Sequence, residues 1–232
     1  MSHLRQSDHA RPGRSQAPGP PRLSQGGIMA KRPPMLRASS DRASRTSSVI
    51  LAVVLALLAV ILCADLWFSL TYRLIIVDGR SMEDTLFSGD AIYIEKGAMP
   101  ERGDIVVIDV TGHPDLFQRD PGEERYIIKR VIALEGDVVC SENGTVYLKQ
   151  AGEERFFVLR EDYTTGQTGD FSAVAVGEGE MFFLGDNRSD SKDSRYVGCL
   201  PLGDVVGVVP DFALQHKDFI TGWVHFWHFG SV

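Results

Sequence analysis

Sixteen consecutive apolar residues, Val49 to Ala64 ("VILAVVLALLAVILCA"), limit what this chain can become more than any other feature. Such a run has no polar face to offer to water, so it must be enclosed by protein or by lipid. With "DLWFSL" after it, the stretch from Ser47 to Leu70 reaches the roughly 20 residues that cross a bilayer. Asp65 would then lie near one face and Trp67 in the interfacial belt. A cleaved signal peptide is the competing reading. The run is long for one, and Leu62 stands where a small residue would precede a cut after Ala64. Cys63 also lacks the small residue in front that a lipid-modified cysteine needs. The expectation is an uncleaved single-pass anchor in the cell membrane, with the lipid bilayer as a partner.

Charge orients that anchor. The 232 residues carry a net charge of -7, but residues 1–46 hold nine Lys/Arg against Asp8 and Asp41, and 15 basic and 29 acidic residues lie beyond them. Positive segments stay on the cytoplasmic side, which leaves the acidic body outside. An acidic body also argues against nucleic acid as a partner. Residues 1–46 are rich in Arg, Pro, Gly and Ser without an apolar period, and are expected to be disordered.

Residues 71–232 read as β. "LIIV", "AIYIE", "DIVVIDV", "YIIKRVIAL", "DVVC", "TVYLK", "RFFVL", "EMFFLG" and "DVVGVV" are short β-branched or aromatic runs separated by Gly-Asp, Asn-Gly and Gly-Glu turns. No helical period longer than about two turns is visible outside the anchor. Connections are short, so the expected class is mostly β, a coiled antiparallel sheet rather than βαβ units. Residues 140–180 are more polar and suggest a small hairpin excursion with an Asn143-Gly144 turn. Thr111 to Glu124 reads as a surface loop. The aromatic tail "GWVHFWHFG" reads as a core strand, or as a segment resting on the bilayer. Cys140 and Cys199 have no metal-ligand spacing, and are either buried free thiols or a disulfide.

Three polar segments carry the chemistry. In "VDGRSMEDTLFSGD" (Val77 to Asp90) a lone serine, Ser81, sits in a tight loop, where a serine is most often only a turn residue. In "YIIKRVIALEGD" strand alternation puts Lys129 or Arg130 on the apolar side. A lysine there either snorkels from an edge strand or is buried with its pKa depressed, which makes its amine a usable base. "FFLGDNRSDSKDSRYVG" (Phe182 to Gly198) packs both signs of charge and several hydroxyls behind a strand, the composition of a buttress that holds other side chains by paired hydrogen bonds.

In this order behind an anchor, the three segments resemble the bacterial type I signal peptidases, in particular their Gram-positive branch. "GRSMEDTLFSGD" is similar to that family's nucleophile box, "IIKRVIALEGD" to its lysine box and "GDNRSDSKDSRYVG" to its final box. Asp84 stands where the family prefers proline, Ala133 where glycine is usual and Glu135 where proline is usual. The resemblance implies a serine endopeptidase with Ser81 as nucleophile and Lys129 as general base, and with Ser191 orienting the lysine amine. It also implies an Asp193–Arg195 pair under the site and a second supporting pair from Asp186 and Arg130. Gly79 replaces a serine that donates to the oxyanion in some members, so the oxyanion region, Gly79 to Met82, relies on the Ser81 backbone amide.

The implied substrates are the signal peptides of exported preproteins, cut after small residues, by a monomer that uses no metal or cofactor. Three other readings stand beside it. One is a protease of the same type for a dedicated substrate such as a pilin. Another is a Ser-Lys self-cleaving repressor-type protein, which the anchor disfavours. The third is a non-catalytic, membrane-tethered binding module.

Overall fold

The computed structural model describes residue 19 and residues 37–114, 126–164 and 166–229. The expectations for residues 1–36, and for most of the loop between Thr111 and Glu124, lie outside them. The chain divides into Met1–Leu55 and Ala56–Val232, and both sheets belong to the second part.

Helix α1 spans Arg37–Thr71. It begins ahead of the expected Ser47, so residues 37–46 are helical where composition suggested no structure. Once a helix is nucleated by a strong segment, each added residue gains a backbone hydrogen bond at small cost. Its Arg45–Thr71 portion is long and apolar enough to cross a membrane, about 40 Å at 1.5 Å per residue.

The body is antiparallel β. Strands β1 (Tyr72–Ile76), β2 (Ala91–Lys96), β3 (Ile105–Asp109) and β4 (Tyr126–Leu134) are followed by β5 (Val138–Glu142), β6 (Thr145–Lys149), β7 (Phe157–Val158) and β8 (Phe171–Ala175). Next come β9 (Glu180–Leu184), the short helix α2 (Ser194–Val197), β10 (Leu200–Pro201) and β11 (Val205–Val208). Helices α3 (Asp211–Gln215) and α4 (Lys217–Phe229) close the described chain. The seven-stranded sheet has the order β1-β2-β11-β3-β4-β9-β10, and a four-stranded sheet has the order β7-β6-β5-β8. Asn143 and Gly144 take φ of 53° and 79° at the β5–β6 turn, the left-handed pair that a two-residue hairpin needs. Strand β8 was not among the runs legible in the sequence, because "FSAVA" is short and half-exposed.

The central strands of the large sheet are buried on both faces, which is why they read as continuous apolar runs. Ile105 and Val107 join a core with Ile92, Ile94, Met82, Leu86 and the helices α3 and α4, while Val106 and Ile108 join Val131, Met181 and Phe183 on the opposite face. A register shift between Val131 and Ala133 interrupts the β4–β9 pairing. It lets the consecutive Ile132 and Ala133 both enter the third core, with Val139, Leu148, Phe182 and Leu184, which ties the small sheet to the large one.

The tail corrects the sequence reading. "GWVHFWHF" is helical, within α4, not a strand. Ile220 and Val224 are buried at i, i+4 spacing, a helical period that the surrounding aromatics masked. Thr221 Oγ1 accepts from Ala91 N–H at 2.8 Å and fixes the helix against the start of β2. Cys63, Cys140 and Cys199 are unbridged.

Candidate active site

The loop after β1 delivers Ser81. Val77 N–H donates to Asp90 C=O at 2.8 Å and Gly89 N–H donates to Val77 C=O at 2.8 Å, so the two ends of the loop are stitched together. Within it Glu83 N–H donates to Arg80 C=O, and both Thr85 and Leu86 N–H donate to Met82 C=O. These bonds close a short helical turn over Arg80 to Leu86. Met82 and Leu86 anchor it, being 1% and 0% exposed, and each such burial contributes about 1.5–3 kcal/mol. Gly79, at φ 96°, and Met82 flank Ser81 on the wall of a cleft of about 810 Å³.

Strand β4 delivers Lys129. It lies between β3 and β9, so it is an interior strand and the snorkelling edge-strand reading fails. Lys129 and Arg130 are 4% and 9% exposed. The Lys129 Nζ donates to Ser81 Oγ at 2.6 Å and to Ile128 C=O at 2.8 Å. Burial strips water from the ammonium and pulls its pKa down from 10.5 to about 8, against the opposing pull of Asp193 and Asp186, which raise it. A neutral amine is therefore within reach at mildly alkaline pH.

The segment after β9 is the buttress. Arg130 and Asp186 form a two-pronged pair, Nε to Oδ1 at 2.8 Å and Nη2 to Oδ2 at 2.6 Å. The same Asp186 accepts from Thr85 Oγ1 at 2.6 Å, so this pair ties β4 to the Ser81 loop. Arg195 and Asp193 form the second pair, both contacts at 2.8 Å, and Asp193 also accepts from Gly185 N–H at 3.0 Å. Planar guanidinium and carboxylate groups fix one another's orientation in this way better than a lysine would.

Ser191 Oγ is buried and has no hydrogen-bond partner among the described residues. Its neighbour is Gly185: a Cβ there would lie 2.2 Å from Ser191 Oγ and 2.4 Å from the Ser81 carbonyl oxygen. Only a glycine lets both approach.

Several positioning residues had no role in the sequence reading. Asn187 N–H donates to Ser81 C=O at 3.1 Å, and its Nδ2 donates to Arg80 C=O at 3.1 Å, so the buttress grips the serine loop by its backbone. Arg188 donates to Gly185 C=O at 2.9 Å and pairs with Glu161. The Tyr163 ring lies 3.9 Å from the Arg130 guanidinium carbon. Glu161 and Tyr163 lie between β7 and β8 of the small sheet, and burial pushes the Tyr163 hydroxyl's pKa up. The mixed charge of the "GDNRSD" segment was the only signal for these contacts.

The three departures from the family pattern all have places. Asp84 takes φ 85°, Ala133 is wholly buried in the third core, and the Glu135 carboxylate accepts from Gly179 N–H at 3.0 Å.

A serine hydroxyl in contact with a desolvated lysine amine on the wall of an open cleft is equipment for acyl transfer, which makes the class a serine hydrolase. Comparison with known proteins specifies it. The model of the family described as "Signal peptidase, peptidase S26" matches residues 46–212, and the chain belongs to that family, as a serine peptidase of the bacterial type I kind. Signal peptidase I P of Bacillus subtilis subsp. natto is 31% identical over 180 residues, 72% of this chain and 91% of its own length. Signal peptidase I of Bacillus licheniformis is 34% identical over 159 residues, 64% of this chain and 75% of its own. A crystal structure of a signal peptidase I from Enterococcus faecalis is 29% identical, covering 49% of this chain and 98% of that one with a TM-score of 0.37.

Proposed function

We propose that the chain is a membrane-anchored endopeptidase that removes signal peptides from exported preproteins through a Ser81/Lys129 dyad. The observation that carries this is the 2.6 Å contact between Lys129 Nζ and Ser81 Oγ, made by a lysine whose burial draws its pKa to about 8. Neutral Lys129 takes the proton from Ser81 Oγ as that oxygen attacks the peptide carbonyl. The resulting ammonium protonates the leaving amine, and water, activated by the same amine, hydrolyses the ester.

The developing oxyanion faces the Ser81 N–H, which makes no hydrogen bond to another described residue. Ser191 Oγ, expected to orient the amine, makes no hydrogen bond to it: Lys129 Nζ bonds Ser81 Oγ and Ile128 C=O instead. The two arginine–carboxylate pairs keep Lys129 and the Ser81 loop in register.

Substrate enters extended. The cleft is lined by Arg73–Met82 on one side and Tyr126–Lys129 on the other, and β1, which among the described residues pairs only with β2, offers an edge for an added strand. Helix α1 holds this cleft near the bilayer, with the basic amino-terminal segment cytoplasmic and the body outside. In the test, detergent-solubilised protein is incubated with a preprotein and the product's new amino terminus is sequenced. Cleavage after the signal peptide by wild type and none by Ser81→Ala is the expected result. Undiminished cleavage by Ser81→Ala would remove the dyad from the mechanism.

A further inference from the structure

Helix α4 carries two apolar stripes. One, formed by Ile220 and Val224, is buried in the body's core. The other consists of Phe219, Trp223, Phe226 and Trp227, which are 75%, 52%, 72% and 62% exposed. Their spacing of i, i+4, i+7 and i+8 places them on one helix face. Three of the rings touch, with centroids of Trp223 and Trp227 6.3 Å apart and those of Phe226 and Trp227 5.8 Å apart, and Phe219 extends the same face one turn earlier.

Folding of the body does not require this face. The helix is already held by its buried stripe, by Thr221 against Ala91 and by Lys217 against Asp90 at 3.1 Å. It also lies beyond residues 46–212, the part shared with the family. A contiguous exposed apolar patch of this kind marks a surface that something covers.

We infer that the aromatic face of α4 rests on the lipid bilayer, as a second membrane contact besides α1. Two observations select lipid. The first is composition: tryptophan and phenylalanine are the side chains that seat a helix at headgroup depth, and the face carries no charge. The second is continuity with the end of α1. Trp67 and Phe68 meet Tyr72 at 6.1 and 4.8 Å, and Tyr72 meets Phe212 of α3 at 5.4 Å. A chain of rings thus leads from the last turns of the apolar helix into α3, and α4 begins two residues after α3 ends. Phe87, 49% exposed on the Ser81 loop, has its ring 5.1 Å from Lys217 Nζ at the start of α4, so the contact extends toward the cleft. The consequence is a cleft held at a fixed height over the membrane.

The inference rests on α1 as an anchor, and the experiment separates the two. Trp67, Trp223 and Trp227 are the chain's three tryptophans. Full-length Trp67→Phe reports on α4 alone, and the double variant Trp223→Phe/Trp227→Phe reports on α1 alone. Each is reconstituted into phosphatidylcholine–phosphatidylglycerol vesicles with acyl chains brominated near the headgroup, and fluorescence is compared with unbrominated vesicles. Aqueous iodide is the second quencher, and circular dichroism checks the fold.

The expected result is bromolipid quenching of the α4 tryptophans comparable to that of Trp67, with protection from iodide. Quenching of Trp67 alone overturns the α4 contact and leaves the anchor standing. Protection of α4 from iodide without bromolipid quenching also overturns it, because protein, such as a second copy, then covers the face. Failure of Trp67 to be quenched overturns the anchor, and the inference falls with it.

Discussion

Lys129 Nζ lies 2.6 Å from Ser81 Oγ although 48 positions separate the two residues. The contact joins an interior strand to a loop on the cleft wall, and the amine's second hydrogen bond goes to its neighbour's carbonyl. Desolvation is therefore the dominant influence on this lysine, and Asp193 and Asp186 offset only part of it.

For activity, the sign follows from which form works. In the proposed mechanism the neutral amine is the base, so kcat/KM should rise with pH through a single group near 8 and fall by about tenfold per pH unit below it. Lys129→Arg should be inactive at every pH, since a guanidinium does not release its proton. A pH–rate profile on a short peptide substrate checks both. A limb that begins only near 10.5 would mean that the amine is hydrated and the mechanism wrong.

The same shift must appear in stability. With the folded pKa near 8 and the unfolded value at 10.5, the unfolded chain binds more protons between them, so wild type gains stability as pH rises through that window. Below pH 8 the full penalty applies. Against Lys129→Met, which has no such group, the stability difference should move toward wild type by roughly 3 kcal/mol between pH 7 and 10.5. Parallel unfolding curves of the two proteins at both pH values measure it, and a difference that ignores pH would contradict the burial of the amine.

Gly185→Ala should damage both the fold and the site. The added Cβ would stand 2.4 Å from the Ser81 carbonyl oxygen and 2.2 Å from Ser191 Oγ. The serine side chain can rotate away, but the backbone oxygen is held by Asn187. A loss of about 1–3 kcal/mol is expected, together with a fall in kcat larger than the change in KM. Normal turnover at normal stability would show that the Ser81 loop has room to move.

Asp84→Pro restores the residue that the family prefers, yet it should not help here. Asp84 takes φ 85°, and a proline ring holds φ near −65°. The variant should lose more than about 1 kcal/mol, while Asp84→Gly should be the more stable of the two because glycine reaches positive φ without the left-handed penalty. Thermal unfolding of the two variants decides it, and a proline variant more stable than the glycine one would be the contrary result.

The sequence by itself determined the local and the repetitive. An uninterrupted apolar run can only be an enclosed or membrane helix, and short β-branched runs cut by Gly-Asp and Asn-Gly turns can only make antiparallel strands, because both follow from backbone preference and solvent exclusion over a few residues. Resemblance in three short boxes, carried mainly by the final one, pointed to Ser81 and Lys129, which the fold brings to 2.6 Å of each other. It could not say which of Lys129 and Arg130 is buried. Both are, since β4 is an interior strand covered on two faces, and strand order is decided by pairings among residues far apart in the chain. Nor could it distinguish a strand from a helix in the aromatic tail: nearly every residue there is large and apolar, so periodicity is uninformative until β2 and the core select Ile220 and Val224 for burial. The roles of Gly185 and Asn187 were illegible for a related reason. Each acts by meeting the Ser81 loop, about a hundred residues away, and such a requirement exists only once the sheet has brought the two segments together.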